Sequence, residues 1–292
     1  MSTLQSHPVR CRILRVLAAL PVVSILVLGG GALRAEPVAA VRLYTIDCGS
    51  ADVTDMSDFS DTGEYDGKPG KLAFPCFLIW HPKGTLLWDL GPGDKLAGHS
   101  AGVTDGPFHL SVRRTLAGQL DAIGLRPADI QFLAFSHLHW DHTGNANDYA
   151  GATWLLVKQE LDWATATPTP GGVDLATFSA YKNAKVVTFD GDKDVFEDGS
   201  VRILRASGHT PGHAVLMVKL KRSGTVILSG DLYHAVESRR QRLVPAFNTN
   251  RADTLAAMGR IERIIQTKKA RFVIQHAPQD FDALPKFPAY LD

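Results

Sequence analysis

The chain has 292 residues, 45% hydrophobic and 21% charged, which excludes a disordered or fibrous protein and fits one large globular domain or two small ones. Its formal charge is +1 and no cluster of lysine and arginine stands out, so nothing recommends nucleic acid as a partner.

At the N-terminus, Arg10, Arg12 and Arg15 precede the apolar run VLAALPVVSILVLGG, which ends in GALRA before Glu36. A basic segment, a short apolar stretch and a small residue at the cut describe a secretory signal peptide over 1–35, cleaved after Ala35. Pro21 interrupts a run already short for a bilayer anchor, and Cys11 lies before the run, where lipoprotein processing would not use it. Cleavage removes four arginines and no acid, leaving 27 basic and 30 acidic residues, a formal −3. The expectation is a periplasmic or secreted protein, without membrane attachment after cleavage, whose single domain spans 36–292. Cys48 and Cys76 remain; they are expected on neighbouring strands, where an oxidising compartment would let them pair.

VRLYTID (41–47) has a strand pattern, and a polar, glycine-containing loop is expected from about 49 to 73. FPCFLIW and TLLWDLG are apolar runs joined by HPKG, a hairpin. In SVRRTLAGQLDAIGL, Val112, Leu116, Leu120 and Ile123 recur at helical spacing up to Gly124. DIQFLAFS and TWLLV read as strands, and 159–164 as a short helix. KVVTF, VRILRAS, HAVLMVKL and TVILSGD follow as strands. RADTLAAMGRIERIIQT is a helix with Leu255, Met258, Ile261 and Ile265 on one face, and RFVIQHA is the last strand. Strands grouped in each half, with helices after them, predict a layered α/β domain of two packed sheets covered outside by helices.

The strand DIQFLAFS runs into SHLHWDHTGN, which places His137, His139, Asp141 and His142 within six positions of a chain that has eleven histidines. His137 and His139, two apart at a strand end, point the same way. Asp141 and His142 approach from the loop. Imidazole and carboxylate donors suit zinc, and also iron, manganese or cobalt. Four such residues exceed the needs of a single catalytic ion, so two ions are expected. His209 after VRILRA, Asp231 after VILSG and His276 after RFVIQ add three more donors, each at a strand end.

HxHxDH, GHTPGH, SGD and a strand-terminal histidine, in this order, resemble the metallo-β-lactamase superfamily over almost all of 36–292. PCFLIWHPKG, SHLHWDHTGN and SGDLYH look most like its N-acyl-homoserine lactonase branch. The resemblance implies an αββα sandwich and a hydrolase that opens the lactone ring of N-acyl-homoserine lactones with a metal-bridging hydroxide. It assigns His137, His139 and His209 to one divalent ion, zinc by default, and Asp141, His142 and His276 to another. Asp231 would bridge the two. Asp89 would orient a ligand, and His213 would be structural. The catalytic set it suggests is Asp141 and Asp231 together with Tyr233 or His234. The family places a tyrosine three residues after the bridging aspartate, whereas here His234 holds that position and Tyr233 precedes it; position favours His234. An acyl-chain pocket would draw on 49–73, GPFHL (106–110) and LVPAFN (243–248), although Phe108 and Phe247 themselves read as core residues. The rival functions are a secreted β-lactamase and another ester or thioester hydrolase of the superfamily. The family contains monomers and dimers, so a homodimer stays open.

Overall fold

The computed structural model describes residues 1–3 and 38–292, so the expected signal peptide lies outside the described residues except for its first three. Among the described residues, no helix is long and apolar enough to cross a membrane. The first sheet comprises β1 (Arg42–Val53), β2 (Gly70–His81), β3 (Gly84–Trp88), β4 (Val103–Asp105), β5 (Phe108–Ser111), β6 (Phe132–Ala134), β7 (Thr153–Val157) and β8 (Lys185–Phe189). The second comprises β9 (Lys193–Asp194), β10 (Val201–Arg205), β11 (Ala214–Leu220), β12 (Gly224–Leu228) and β13 (Arg271–Val273); the terminal β14 (Tyr290–Leu291) returns to pair with β1. Strand order is 4-5-1-2-3-6-7-8 in the first sheet and 13-12-11-10-9 in the second. The helices are α1 (Leu116–Asp121), α2 (Trp140–Thr143), α3 (Lys158–Ala164), α4 (Val236–Gln241), α5 (Arg251–Lys268) and α6 (Pro278–Asp282).

Alternation along the strands builds three layers of core. Phe77, Ile79, Leu86 and Trp88 of the first sheet meet Ile203, Leu216, Val218 and Leu228 of the second, forming the inter-sheet core. The opposite face of the first sheet, with Ile46, Leu78 and Leu87, packs under Leu116, Leu120 and Leu161. The opposite face of the second, with Leu204, Val215, Met217 and Ile227, takes Met258, Ile261 and Ile265 of α5. This is the expected helix–sheet–sheet–helix sandwich. Cys48 and Cys76 are linked across β1 and β2, with their Cα atoms 5.8 Å apart.

Two expectations are corrected. The loop expected over 49–73 is shorter at both ends, because β1 continues to Val53 and β2 starts at Gly70. A register shift between Asp47 and Ser50 lets β1 resume and pair with β5 along its other edge. The helix expected from Ser111 starts only at Leu116, since Ser111 belongs to β5 and the Asp94 carboxylate accepts the N–H groups of Leu116 and Ala117.

Candidate active site

The chemistry-bearing residues all follow strand ends at one edge of the sandwich. β6 runs parallel to β3, which brings Ser136 beside Asp89 at the exit of β3. Asp89 adopts φ 51°, an uncommon conformation for a non-glycine residue, and its Oδ1 accepts the N–H of Ser136 at 2.7 Å. The chain then passes His137 and His139 and winds into α2, whose single turn carries Asp141 and His142. His209 follows β10, Asp231 follows β12 and His276 follows β13. Gly230 makes the turn into Asp231 at φ 49°, where a Cβ would stand 2.5 Å from Ser136 Cβ and 2.6 Å from His213 Nε2.

These side chains converge in two groups, His137, His139, His209 and Asp231 in one, and Asp141, His142 and His276 in the other. In the first, His137 Nε2 lies 2.9 Å from His139 Nδ1, and His209 Nε2 lies 3.2 Å from both. Asp231 divides its carboxylate. Oδ2 faces His209 Nε2 at 3.4 Å and His137 Nε2 at 3.7 Å, while Oδ1 faces His276 Nε2 at 2.9 Å and His142 Nε2 at 3.1 Å. Asp141 Oδ2 completes the second group, 3.5 Å from His142 Nε2 and 3.6 Å from His276 Nε2.

Three of the remaining ring nitrogens are anchored. His276 Nδ1 donates to the carbonyl of Ala73 at 2.8 Å, His209 Nδ1 to Asn248 Oδ1 at 3.2 Å, and His142 Nδ1 lies 3.1 Å from Asp89 Oδ2. Asp89 is held in turn by Gln275 Nε2 at 2.8 Å. Asp89 therefore stands between Gln275 and the His142 ring, where the resemblance expected a ligand-orienting carboxylate. His213 is structural as expected: its Nδ1 donates to Ala206 O, and its Nε2 accepts the N–H of Asp231 at 2.9 Å.

The electrostatics fit cations in both groups. With its Nδ1 hydrogen committed to Asn248, neutral His209 presents a bare Nε2 to Asp231 Oδ2, lone pair against lone pair, unless positive charge lies between. At His276, burial opposes the charged form, but Asp231 and Asp141 outweigh it and raise the pKa. Burial holds His137 and His209 well below the usual histidine range and lowers His139 to about 4, so the first trio is neutral and ready to ligate. Burial also opposes the charged form of His142, but Asp141, Asp231 and Asp89 outweigh it and raise its pKa well above normal. Burial likewise opposes ionisation of Asp231, yet the surrounding histidines, led by His276, hold it far below the carboxylate range. Buried imidazoles and carboxylates in this ratio are a divalent-metal donor set.

Of Tyr233 and His234, only His234 reaches the donors. Its Nε2 lies 3.0 Å from Asp231 Oδ2, and its ring stacks on His276 with centroids 5.6 Å apart. The catalytic expectation for Tyr233 is corrected. Its backbone is extended, so successive side chains diverge, and its hydroxyl donates to Glu262 at 3.3 Å within the α5-covered core.

Above the donors opens a cleft of about 480 Å³ walled by Phe59, Phe74, Phe108, Trp140, Trp163 and Phe247. The three segments expected to form an acyl pocket all contribute. Phe108 and Phe247, read as core residues, line the wall instead; Phe247 is 45% exposed. Trp140, Trp163, Ser136 and Gln275 were not singled out in the sequence. Trp140 stands inside the histidine cluster and Gln275 precedes His276, so adjacency alone could have flagged those two.

A family model described as the metallo-beta-lactamase superfamily matches residues 74–276. An N-acyl homoserine lactonase, AttM, from Azorhizobium caulinodans is 30% identical over 268 residues, which cover 86% of this chain and 99% of that protein. A variant of B. thuringiensis AiiA, solved with N-decanoyl-L-homoserine at its active site, superposes with a TM-score of 0.75 at 22% identity, covering 87% of this chain and 100% of the other. AidC, a dizinc quorum-quenching lactonase, gives a TM-score of 0.64 at 18% identity over 87% of this chain and 92% of its own.

Proposed function

This chain belongs to the metallo-beta-lactamase superfamily, and on that premise we propose that it hydrolyses N-acyl-homoserine lactones, the quorum-quenching reaction. It is a metal-dependent hydrolase, and the reading of its substrate is carried by one observation: the Asp231 carboxylate, divided between two donor groups, forms the floor of an aromatic-walled cleft. His137, His139 and His209 would hold one ion and Asp141, His142 and His276 the other, with Asp231 between them; zinc suits this donor set best. When bound, such ions make hydroxide available at neutral pH and polarise a carbonyl.

The chain's own residues do the rest. The apolar walls take the acyl chain and exclude bulk water from the carbonyl. Asp231 Oδ2 accepts a proton from the attacking water. His234 Nε2, 3.0 Å from that oxygen, relays the proton to the ring oxygen as the acyl C–O bond breaks. One water is consumed: one of its protons ends on the ring oxygen as the new hydroxyl, and the other is lost to solvent as the new carboxyl group ionises. We also read the protein as exported to the periplasm or beyond, a reading supported by the leader-like sequence and by the Cys48–Cys76 disulfide.

The deciding experiment is a substrate panel on zinc-loaded protein: N-hexanoyl and N-decanoyl homoserine lactones, an aryl lactone, a β-lactam, a thioester and a phosphodiester. Acyl-homoserine lactones should be turned over fastest, and chelation should abolish the rate. Faster hydrolysis of the β-lactam or the thioester would overturn the reading.

A further inference from the structure

We propose that Glu160 is a positioning residue that sets the geometry of one metal-donor group, His137, His139 and His209, and not of the other. Glu160 lies in the first turn of α3, 3% exposed, and among the described residues its hydrogen bonds go to backbone beside the donors rather than to the donors. Its Oε1 accepts the N–H of Leu138, the residue between His137 and His139, at 2.9 Å. Its Oε2 accepts the N–H of Gly212, in the loop that carries His209, at 2.8 Å. A single carboxylate therefore ties together the two chain segments that supply all three imidazoles of that group, although they lie about seventy residues apart.

Three neighbours point the same way. A Cβ on Gly212 would come within 2.3 Å of Glu160 Cβ and 2.5 Å of its backbone nitrogen, so close approach to α3 is what demands glycine there. Arg205 Nη2 donates to Pro211 O at 2.9 Å, which holds the same loop beside the Glu160 contact. Trp163, one turn further along α3, sets its ring 5.9 Å from that of His139. The second group has separate anchors: Asp89 for His142 and the Ala73 carbonyl for His276.

A carboxylate this deep is costly to bury, and two backbone donors offset part of that cost. A helix meant only to cover the sheet would place an apolar residue there. The carboxylate instead satisfies two N–H groups of loops that must keep irregular paths so that their imidazoles converge.

The inference rests on the two-ion reading, and the test separates the two. Zinc-loaded wild type and Glu160→Gln are titrated with a chromophoric chelator, counting equivalents released. Wild type should hold two tight equivalents. In Glu160→Gln, whose amide can accept only one of the two N–H groups, one equivalent should weaken by about 10- to 100-fold and the other stay at its wild-type affinity. Equal weakening of both, or of neither, overturns the role of Glu160 while leaving the two-ion reading standing. A wild type that binds a single equivalent overturns both. If circular dichroism shows Glu160→Gln unfolded, Glu160→Asp takes its place under the same criteria.

Discussion

His276 turns its Nε2 toward Asp231 Oδ1 at 2.9 Å while its Nδ1 donates to a backbone carbonyl. The other oxygen of Asp231 faces the first trio of histidines, so this one side chain belongs to both donor groups. Asp231→Ala should therefore lower the metal content below the two equivalents expected of wild type. It should also reduce lactone turnover by on the order of 100-fold or more. Elemental analysis beside turnover checks it. Two retained equivalents with an undiminished rate would show that Asp231 does not bridge.

His234 and Tyr233 offer a paired comparison. His234 is within hydrogen-bond reach of Asp231, whereas Tyr233 is buried on the far side against Glu262 and Phe272. His234→Ala, with metal content confirmed, should cost about 100-fold in kcat. Tyr233→Phe should leave kcat unchanged and lower stability by about 1 kcal/mol through its lost hydrogen bond. The opposite pattern would reverse the assignment.

Much of the site was legible because metal chemistry needs particular residue types, and strand ends are where a sandwich can deliver them. The seven donors, Asp89 and His213 stand where the motif order placed them. Tertiary partners were not legible. Helix α1 starts behind the Thr115 cap, which the sequence does offer, but the Asp94 carboxylate that accepts the N–H groups of Leu116 and Ala117 lies 22 residues upstream of Leu116, and nothing around Ser111 shows it. The run from Gly49 to Val53 looked like a loop because Gly49, Ser50 and Asp52 break the apolar pattern; yet Ala51 and Val53 are buried where β5 pairs alongside. Glu160 read as one more charged residue on a short helix. Only the fold brings Leu138 and Gly212 to it.

The Cys48–Cys76 bond closes a loop with a sequence separation of 28, for which chain-entropy arguments give about 3–4 kcal/mol. Thiol titration of denatured, unreduced protein should find neither cysteine free once residues 1–35, with Cys11, are removed. A Cys48→Ser/Cys76→Ser double variant should unfold at lower denaturant by an amount matching that figure. Two reactive thiols would rule the bond out.

The last prediction concerns pH. Burial raises the Glu160 carboxyl from its ordinary value of 4.5 to about 6, so between these values the folded state holds a proton that the unfolded state has released. Unfolding then releases a proton. By linkage, the stability of the folded state falls as pH rises through this window and is level above it. A shift of this size corresponds to about 2 kcal/mol. Both proteins are compared metal-free, so that the buried histidines contribute alike and the contribution of Glu160 appears as a difference between the two. Urea unfolding of wild type and Glu160→Gln from pH 4 to 7 should show wild type losing about 2 kcal/mol relative to the variant across the window. Parallel curves would mean that the carboxyl ionises in the fold as readily as it does in water, with its two backbone donors fully offsetting the cost of burial.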